Sequence, residues 1–228
     1  MLRLREAAEF PFHGSKAASR LSLGGSLCAL PIFVFTVLGY LVDTLKSSII
    51  TAPLCLLYLL AGGYAFNVFK AAFRQERVEL AAWDHWGDLF SKGFFVFLIE
   101  LGYGLPPLLL VAVGIGVLYR GGWWLFAGML LLMIGMLAFL LVGFFFPMGI
   151  AQYLRWQRIE AAFHIPSLWG AIRHVLVEYV SLFLLSLLVL LAFGFVATIP
   201  FLGPVLASFL SFYPMVVLAK LFGEMCGR

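Results

Sequence analysis

One acidic residue stands inside a long apolar run of this chain. Glu100 is preceded by residues 94–99 and followed by residues 105–118, which are almost entirely apolar. A carboxylate within a lipid bilayer is costly, so such a residue is a functional candidate by default and could carry a proton or bind a cation. The alternative is a protonated or hydrogen-bonded glutamate that locks neighbouring helices together.

Two adjacent prolines, Pro106 and Pro107, follow Glu100 in the same run. Because proline cannot donate a backbone hydrogen bond, we expect the pair to break or bend the helix and to free carbonyls nearby. Broken helices often line transport sites. The sequence therefore predicts an intramembrane polar site made of Glu100, Pro106 and Pro107.

A second group of reactive side chains comprises Asp84, His85 and Asp88. Two carboxylates and an imidazole could ligate a metal or move protons. The carboxylates also suit the first turn of a helix, where they meet the positive end of its dipole, and we expect that role. There is no zinc-binding Cys/His spacing, Walker loop, GxSxG elbow or HExxH motif. We therefore expect no metal, no cofactor and no enzymatic activity.

Composition determines the elements that must position these residues. The chain is 64% hydrophobic and 11% charged, with a mean hydropathy of +1.06. A soluble domain is closer to about half apolar and about a quarter charged, so lipid must cover part of this surface. The basic residues behind the net charge of +4 are spread along the chain. A nucleic-acid-binding protein would cluster them on one polar domain, so we expect no nucleic-acid partner.

Six apolar runs approach the ~20 residues that a helix needs to cross the hydrocarbon core. Because lipid excludes unpaired backbone and the in/out alternation of a barrel is absent, we expect an all-α, polytopic transmembrane helical bundle. The expected spans are about Leu23–Val42, Ile49–Phe69, Phe94–Tyr119, Trp123–Pro147, Tyr179–Ile199 and Pro204–Phe222.

Lys and Arg positions predict the direction in which the chain is threaded. With the N-terminus in the cytoplasm, all of the 15 Lys and Arg residues except Lys46 and Arg120 fall on the cytoplasmic side, as the positive-inside rule requires. We therefore expect both termini in the cytoplasm. Residues 1–22 form a cytoplasmic segment, and residues 23–228 form one transmembrane domain with amphipathic cytoplasmic loops at 70–92 and 150–178.

Both cytoplasmic loops combine an apolar stripe with a basic stripe at helical spacing. This pattern predicts two amphipathic helices at the membrane surface, which either bind anionic lipid headgroups specifically or anchor the chain in an ordinary way. The basic residues are Lys70, Arg74 and Arg77 in the first loop and Arg155 and Arg158 in the second; the apolar residues are Phe66, Phe69, Phe73 and Leu80, then Trp156, Ile159 and Phe163.

Small residues recur every four positions in the last apolar run, at Gly203, Ala207 and Ser211. Such a ridge lets another helix approach closely. The second helix could belong to this chain or to a partner subunit.

The sequence Trp83-Asp84-His85-Trp86-Gly87 is the core of a longer pattern. The pattern resembles the signature of a family of prokaryotic membrane proteins, domain of unknown function 4013, over roughly residues 24–226. The resemblance implies a prokaryotic cell membrane and brings no catalytic residues, because the family has no established activity. Where the family usually has a proline after the leucine matched by Leu80, this chain has Ala81. The pattern also includes Gly63, Tyr64, Phe73, Arg77, Gly93, Tyr103, Pro147, Tyr153, Leu202, Gly203 and Tyr213.

Three functions are compatible with these observations. Scarce intramembrane polar groups and small loops favour an accessory or scaffolding subunit of a membrane complex. Glu100 beside Pro106 and Pro107 motivates the alternative, a transporter or channel for a small solute, proton or lipid. A lipid-modifying enzyme that uses Asp84, His85 and Asp88 ranks last, because no base–nucleophile set is evident.

Overall fold

The computed structural model describes residues 4–12, 16–41, 51–76, 78–80, 82–200 and 202–227. Within these ranges the chain forms eight α-helices and three short 3₁₀ segments, and no strand occurs. The helices are α1 (Leu4–Glu9), α2 (Ala17–Leu41), α3 (Leu57–Phe73), α4 (Trp86–Leu118), α5 (Trp124–Trp156), α6 (Ile165–His174), α7 (Leu176–Ala197) and α8 (Leu202–Cys226).

Six segments of the described chain are long and apolar enough to cross a membrane, as predicted. They coincide with α2, α3, α4, α5, α7 and α8, so the protein is an all-α, multi-pass membrane protein. The lengths of two of these helices were underestimated from the sequence. Helices α4 and α5 have 33 residues each, about 50 Å at 1.5 Å per residue, against a ~30 Å hydrocarbon core. The extra turns carry polar and aromatic residues, which hid them from a search for apolar runs.

One compact unit comprises residues 1–96 and 175–228, and it is centred on α8. Helices α2, α3 and α7 pack around α8. Close approach to α2 is possible because Gly24 and Gly25 lie against the rings of Phe212 and Phe209. Phe212 and Val216 are fully enclosed in this core. We call this part the α8-centred unit.

Residues 4–12 lie across α8. The hydroxyl of Tyr213 donates a 2.8 Å hydrogen bond to the carbonyl of Ala8. The ammonium of Lys220 lies 4.5 Å from the ring centre of Phe10, close enough for a cation–π interaction. Residues 4–12 are therefore an ordered part of the α8-centred unit.

Three chain segments meet at one end of the α8-centred unit. Arg20, near the start of α2, donates a side-chain hydrogen bond to the carbonyl of Leu80. At the end of α8, Gly223 lies against the backbone of Phe69 and Gly227 against that of Phe73. The start of α2, the segment after α3 and the end of α8 therefore share one side of any membrane that the unit crosses.

A second compact unit comprises residues 97–174. In it the part of α4 from residue 97 onward forms a hairpin with α5, and the turn places Gly121 at φ 67° and Gly122 at φ 58°, a backbone conformation that residues with a Cβ rarely adopt. The helices touch where Gly114 meets Gly128. After α5, a 3₁₀ segment and α6 fold back and bury Ala162, Leu168 and Ile172 completely.

The prediction of an amphipathic helix in the first loop is wrong. Helix α3 ends at Phe73, and the described residues between it and α4 form no helix. Gln75 has a left-handed φ of 57°, and Leu80 is buried with its carbonyl bonded to Arg20. These tertiary contacts outweigh the helical spacing of Lys70 and Arg74; Arg77 lies outside the described residues.

The second loop also departs from one continuous amphipathic helix. Helix α5 continues to Trp156, Gln157 then takes a left-handed φ of 53°, and Arg158 is extended. Arg155 and Arg158 are therefore not on one helix. A 3₁₀ segment, Ile159–Phe163, and then α6 follow.

Of the two outcomes expected at Pro106 and Pro107, a break or a bend of the helix, the break does not occur. Helix α4 runs from Trp86 to Leu118 without interruption. Each proline removes only the bond to the carbonyl four residues earlier, on Gly102 or Tyr103. Membrane helices tolerate such losses because local adjustments and neighbours satisfy the freed groups.

Candidate functional site

Trp83 is the centre of an aromatic cluster in the α8-centred unit. Its ring stacks on Tyr64 of α3, with centroids 4.4 Å apart and planes 17° from parallel. Phe212 of α8 lies 5.8 Å from Trp83 and 5.6 Å from Tyr64. Trp83 is only 9% exposed, so this residue of the family signature serves as a structural anchor. We call Tyr64, Trp83 and Phe212 the aromatic cluster.

Two hydrogen bonds fix the segment between α3 and α4 to the start of α2. The indole N–H of Trp83 donates to the carbonyl of Arg20 over 3.1 Å, and the guanidinium of Arg20 donates to the carbonyl of Leu80. The two bonds run in opposite directions between the same pieces of chain. They satisfy polar groups that would otherwise lack hydrogen-bond partners in a largely buried environment.

Helices α3 and α4 touch at a pair of glycines, Gly63 and Gly93. A Cβ on Gly63 would collide with the carbonyl of Leu89, and one on Gly93 with the carbonyl of Leu59. The helices therefore meet backbone to backbone, as small residues allow in membranes. The sequence signal was present, since both glycines belong to the family pattern, but their pairing could not be read from it.

The other residues of the Trp83-Asp84-His85-Trp86-Gly87 core are exposed. Trp86 is 42% exposed, although its ring lies 5.8 Å from that of Trp83. Gly87 has open space where a side chain would stand. Asp84 lies before α4 and accepts a 3.1 Å bond from the backbone N–H of His85.

The carboxylates of this region do not converge on a metal or substrate position. Asp88 lies in the first turn of α4, as predicted for a residue at the positive end of the helix dipole. It forms a 2.5 Å ion pair with Lys92. His85 lies 3.9 Å from the carboxylate of Asp84, with both side chains largely exposed. Within the described ranges, no group of three His, Cys, Asp or Glu residues could hold a metal ion.

Glu100 lies on an outward face of α4. Its side chain is exposed, as are those of Phe97 and Leu101 beside it. It makes no hydrogen bond or ion pair with any residue that the structure describes. Pro106 is exposed on α4 and Pro107 is buried. Glu100 is thus exposed on α4, and its role as an intramembrane polar group remains a prediction.

The predicted headgroup-binding residues lie at helix ends. Lys70 is in the last turn of α3, and Arg74 follows it, 3.9 Å from the carboxylate of Glu76. Arg155 is in the last turn of α5, and Arg158 lies beyond it with an exposed side chain. Their contact with lipid remains a prediction.

The small-residue ridge of α8 is used partly within the chain. Gly203 lies against Val196 and Ile199 at the α7–α8 turn, and Ala207 is buried. The hydroxyl of Ser211 donates 2.8 Å to the carbonyl of Ser208 in its own helix. Close packing at Gly203 therefore tightens the α7–α8 hairpin.

The described residues define a polytopic helical membrane protein whose signature segment is a packing element. The chain belongs to the family described as "Protein of unknown function (DUF4013)", whose model matches residues 47–202. No curated protein and no solved structure shows significant similarity to it.

Proposed function

We propose that the protein is a non-enzymatic accessory or scaffolding subunit of a membrane complex, and that the face of α4 around Glu100 contacts the partner. The observation that supports this proposal is an exposed carboxylate in a membrane-spanning helix, without a hydrogen-bond or ion-pair partner among the described residues.

The position of Glu100 makes direct contact with lipid unfavourable. It lies 14 residues after the start of α4, about 21 Å along a helix of about 50 Å. A helix of that length centred on a ~30 Å hydrocarbon core places the carboxylate well inside it. Carboxylates at such depth almost always meet a complementary group or water. A partner helix that brings a cation or a hydrogen-bond donor would satisfy Glu100.

The partner proposal is tested by purifying the protein from its own membranes in mild detergent and weighing it by native mass spectrometry. We expect a stoichiometric complex, whose retention falls about tenfold in Glu100→Gln, as for loss of a charge-assisted hydrogen bond. Glu160→Gln is the matched control, because Glu160 is an exposed carboxylate in the 3₁₀ segment after α5. A lone monomer, or equal retention in both variants, would contradict the proposal.

Transport of a small solute, proton or lipid is the second candidate. It is supported by Glu100 and by the carbonyls of Gly102 and Tyr103, which Pro106 and Pro107 cannot bond. It is weakened by the uninterrupted course of α4. Flux in proteoliposomes that falls in Glu100→Gln would favour transport, whereas an intact complex without flux would favour the accessory role.

We further propose a prokaryotic cell membrane, with the N-terminus, the segment around Trp83 and the C-terminus in the cytoplasm. The excess of Lys and Arg on that side supports this orientation. In a variant without its three native cysteines, Ala82→Cys should react with an impermeant maleimide in inverted vesicles and not in intact cells. Reaction in intact cells would reverse the orientation.

A further inference from the structure

A polar groove opens along the first turns of α2, within the α8-centred unit. Its volume is about 510 Å³. It is lined by Lys16, which directly precedes α2, by Arg20, Leu23 and Ser26 of α2, and by Trp83. We call this cavity the α2 groove. Neither Glu100 nor Lys70, Arg74, Arg155 or Arg158 is among its lining residues.

The α2 groove carries two positive charges and no lining carboxylate among the described residues. The ammonium of Lys16 forms no ion pair with any of them and is exposed. Arg20 directs one guanidinium N–H to Leu80, and its other donors stay available because a guanidinium has five. Since the carbonyl of Arg20 is also bonded to Trp83, the arginine is held in place before any ligand arrives.

Serine hydroxyls add neutral donors beside the cations. Ser19 and Ser22 donate to backbone carbonyls of Lys16 and Ser19, at 2.9 and 3.0 Å. A hydroxyl can rotate to donate to a ligand instead. Lysine, arginine and hydroxyl donors together are typical of sites that bind phosphate oxygens.

The length of the α2 groove indicates which kind of phosphate fits. From Lys16, just before α2, to Ser26 the lining residues cover about 15 Å at the rise of a helix, and α2 is one of the six helices apolar enough to span a membrane, from Ala17 onward. The groove therefore begins at the charged end of a span and continues towards the hydrocarbon, past Leu23. Tryptophan at such a level is typical of the membrane interface.

We propose that the α2 groove binds an anionic phospholipid. Lys16 and Arg20 contact the phosphate, and an acyl chain follows α2 past Leu23 and Ser26. Free phosphate shares the same oxyanion chemistry, but it would leave the part of the groove beside Leu23 and Ser26 empty. Basic pockets between membrane helices are known to bind anionic headgroups in this way.

The test uses the purified full-length protein in neutral detergent, titrated with phosphatidylglycerol or phosphatidylcholine and weighed by native mass spectrometry. We expect preferential retention of phosphatidylglycerol, lowered about fivefold in Lys16→Gln and restored in Lys16→Arg. Arg173→Gln removes one charge from an exposed position at the end of α6 and should leave retention unchanged. Equal retention of both lipids, or equal loss in Arg173→Gln, would overturn the proposal.

A second variant separates lipid from free phosphate and does not depend on the charge change. Ser26→Phe should obstruct the acyl-chain end of the α2 groove and lower phosphatidylglycerol retention. Unchanged retention in this variant would overturn the lipid assignment. Displacement of the lipid by millimolar inorganic phosphate, dependent on Lys16, would also overturn it in favour of a soluble anion.

Discussion

Two short segments between helices of this protein, one between α3 and α4 and one between α5 and α6, are each held by an aromatic residue in a different way. Between α3 and α4, the anchor is Trp83 of the segment itself, which inserts among residues of α2, α3 and α8. Between α5 and α6, the anchor is Tyr103 of α4, whose hydroxyl donates to the carbonyl of Ala162. Its ring lies 4.9 Å from that of Phe163.

The difference lies in which elements each anchor joins: Trp83 contacts helices that are far apart in the sequence, whereas Tyr103 contacts α5 and the 3₁₀ segment within residues 97–174. Trp83 connects three helices through one buried ring, so its loss should disturb the whole α8-centred unit. Tyr103 makes one polar bond and local ring contacts, supported by Gly149, where a Cβ would come 2.8 Å from the tyrosine hydroxyl. We therefore expect damage at the first anchor to be global and damage at the second to be local.

The largest expected effect is that of Trp83→Ala. Removing a buried aromatic side chain costs about 3–5 kcal/mol through lost burial and the cavity left behind. The free energy of unfolding, measured by denaturation in mixed detergent micelles, should fall by that amount. Trp169→Ala is the control, because Trp169 is 48% exposed on α6. A similar fall in the free energy of unfolding in this variant would show that Trp83 is not a structural anchor.

Gly63→Ala and Gly149→Ala compare the packing near the two segments. A Cβ at Gly63 meets the backbone carbonyl of Leu89, which cannot move without separating α3 from α4. A Cβ at Gly149 first meets the side chain of Tyr103, which can shift. Overpacking costs about 1–3 kcal/mol, and we expect Gly63→Ala to lie at the upper end and Gly149→Ala at the lower. The same denaturation assay measures both variants. A larger loss of stability in Gly149→Ala than in Gly63→Ala would contradict the expected difference between the two segments.

The smallest expected effect is that of Tyr103→Phe. The ring contacts remain, and only one hydrogen bond is lost. Its loss should lower the free energy of opening the segment between α5 and α6 by about 0.5–1.5 kcal/mol. Hydrogen exchange should show faster opening of residues 157–164, while the global free energy of unfolding changes little. Loss of cooperativity across the entire protein would show that the second anchor is not local.

Hydropathy predicts the six spans because their apolar length is a property of each segment alone. The helix ends were harder to predict: after α3 ends at Phe73, the side chain of Gln75 donates a hydrogen bond to the carbonyl of Gly227 and the carbonyl of Leu80 accepts one from Arg20, and no local periodicity records these contacts. The Trp83 anchor and the Gly63–Gly93 contact depend on residues distant in sequence, so the family pattern marked them without explaining them. Glu100 was recognisable from its type and position, whereas its outward direction required the structure.

The proposed partner contact is tested most directly by a photo-crosslinking amino acid placed at Phe97, which is 41% exposed beside Glu100. The control position is Leu141 of α5, which is 55% exposed. Irradiation of native membranes should give a protein adduct of discrete mass at position 97, and the adduct should weaken when Glu100 is replaced by Gln. If position 97 yields only lipid adducts, as expected for Leu141, the face around Glu100 has no protein partner and the proposed accessory role is wrong.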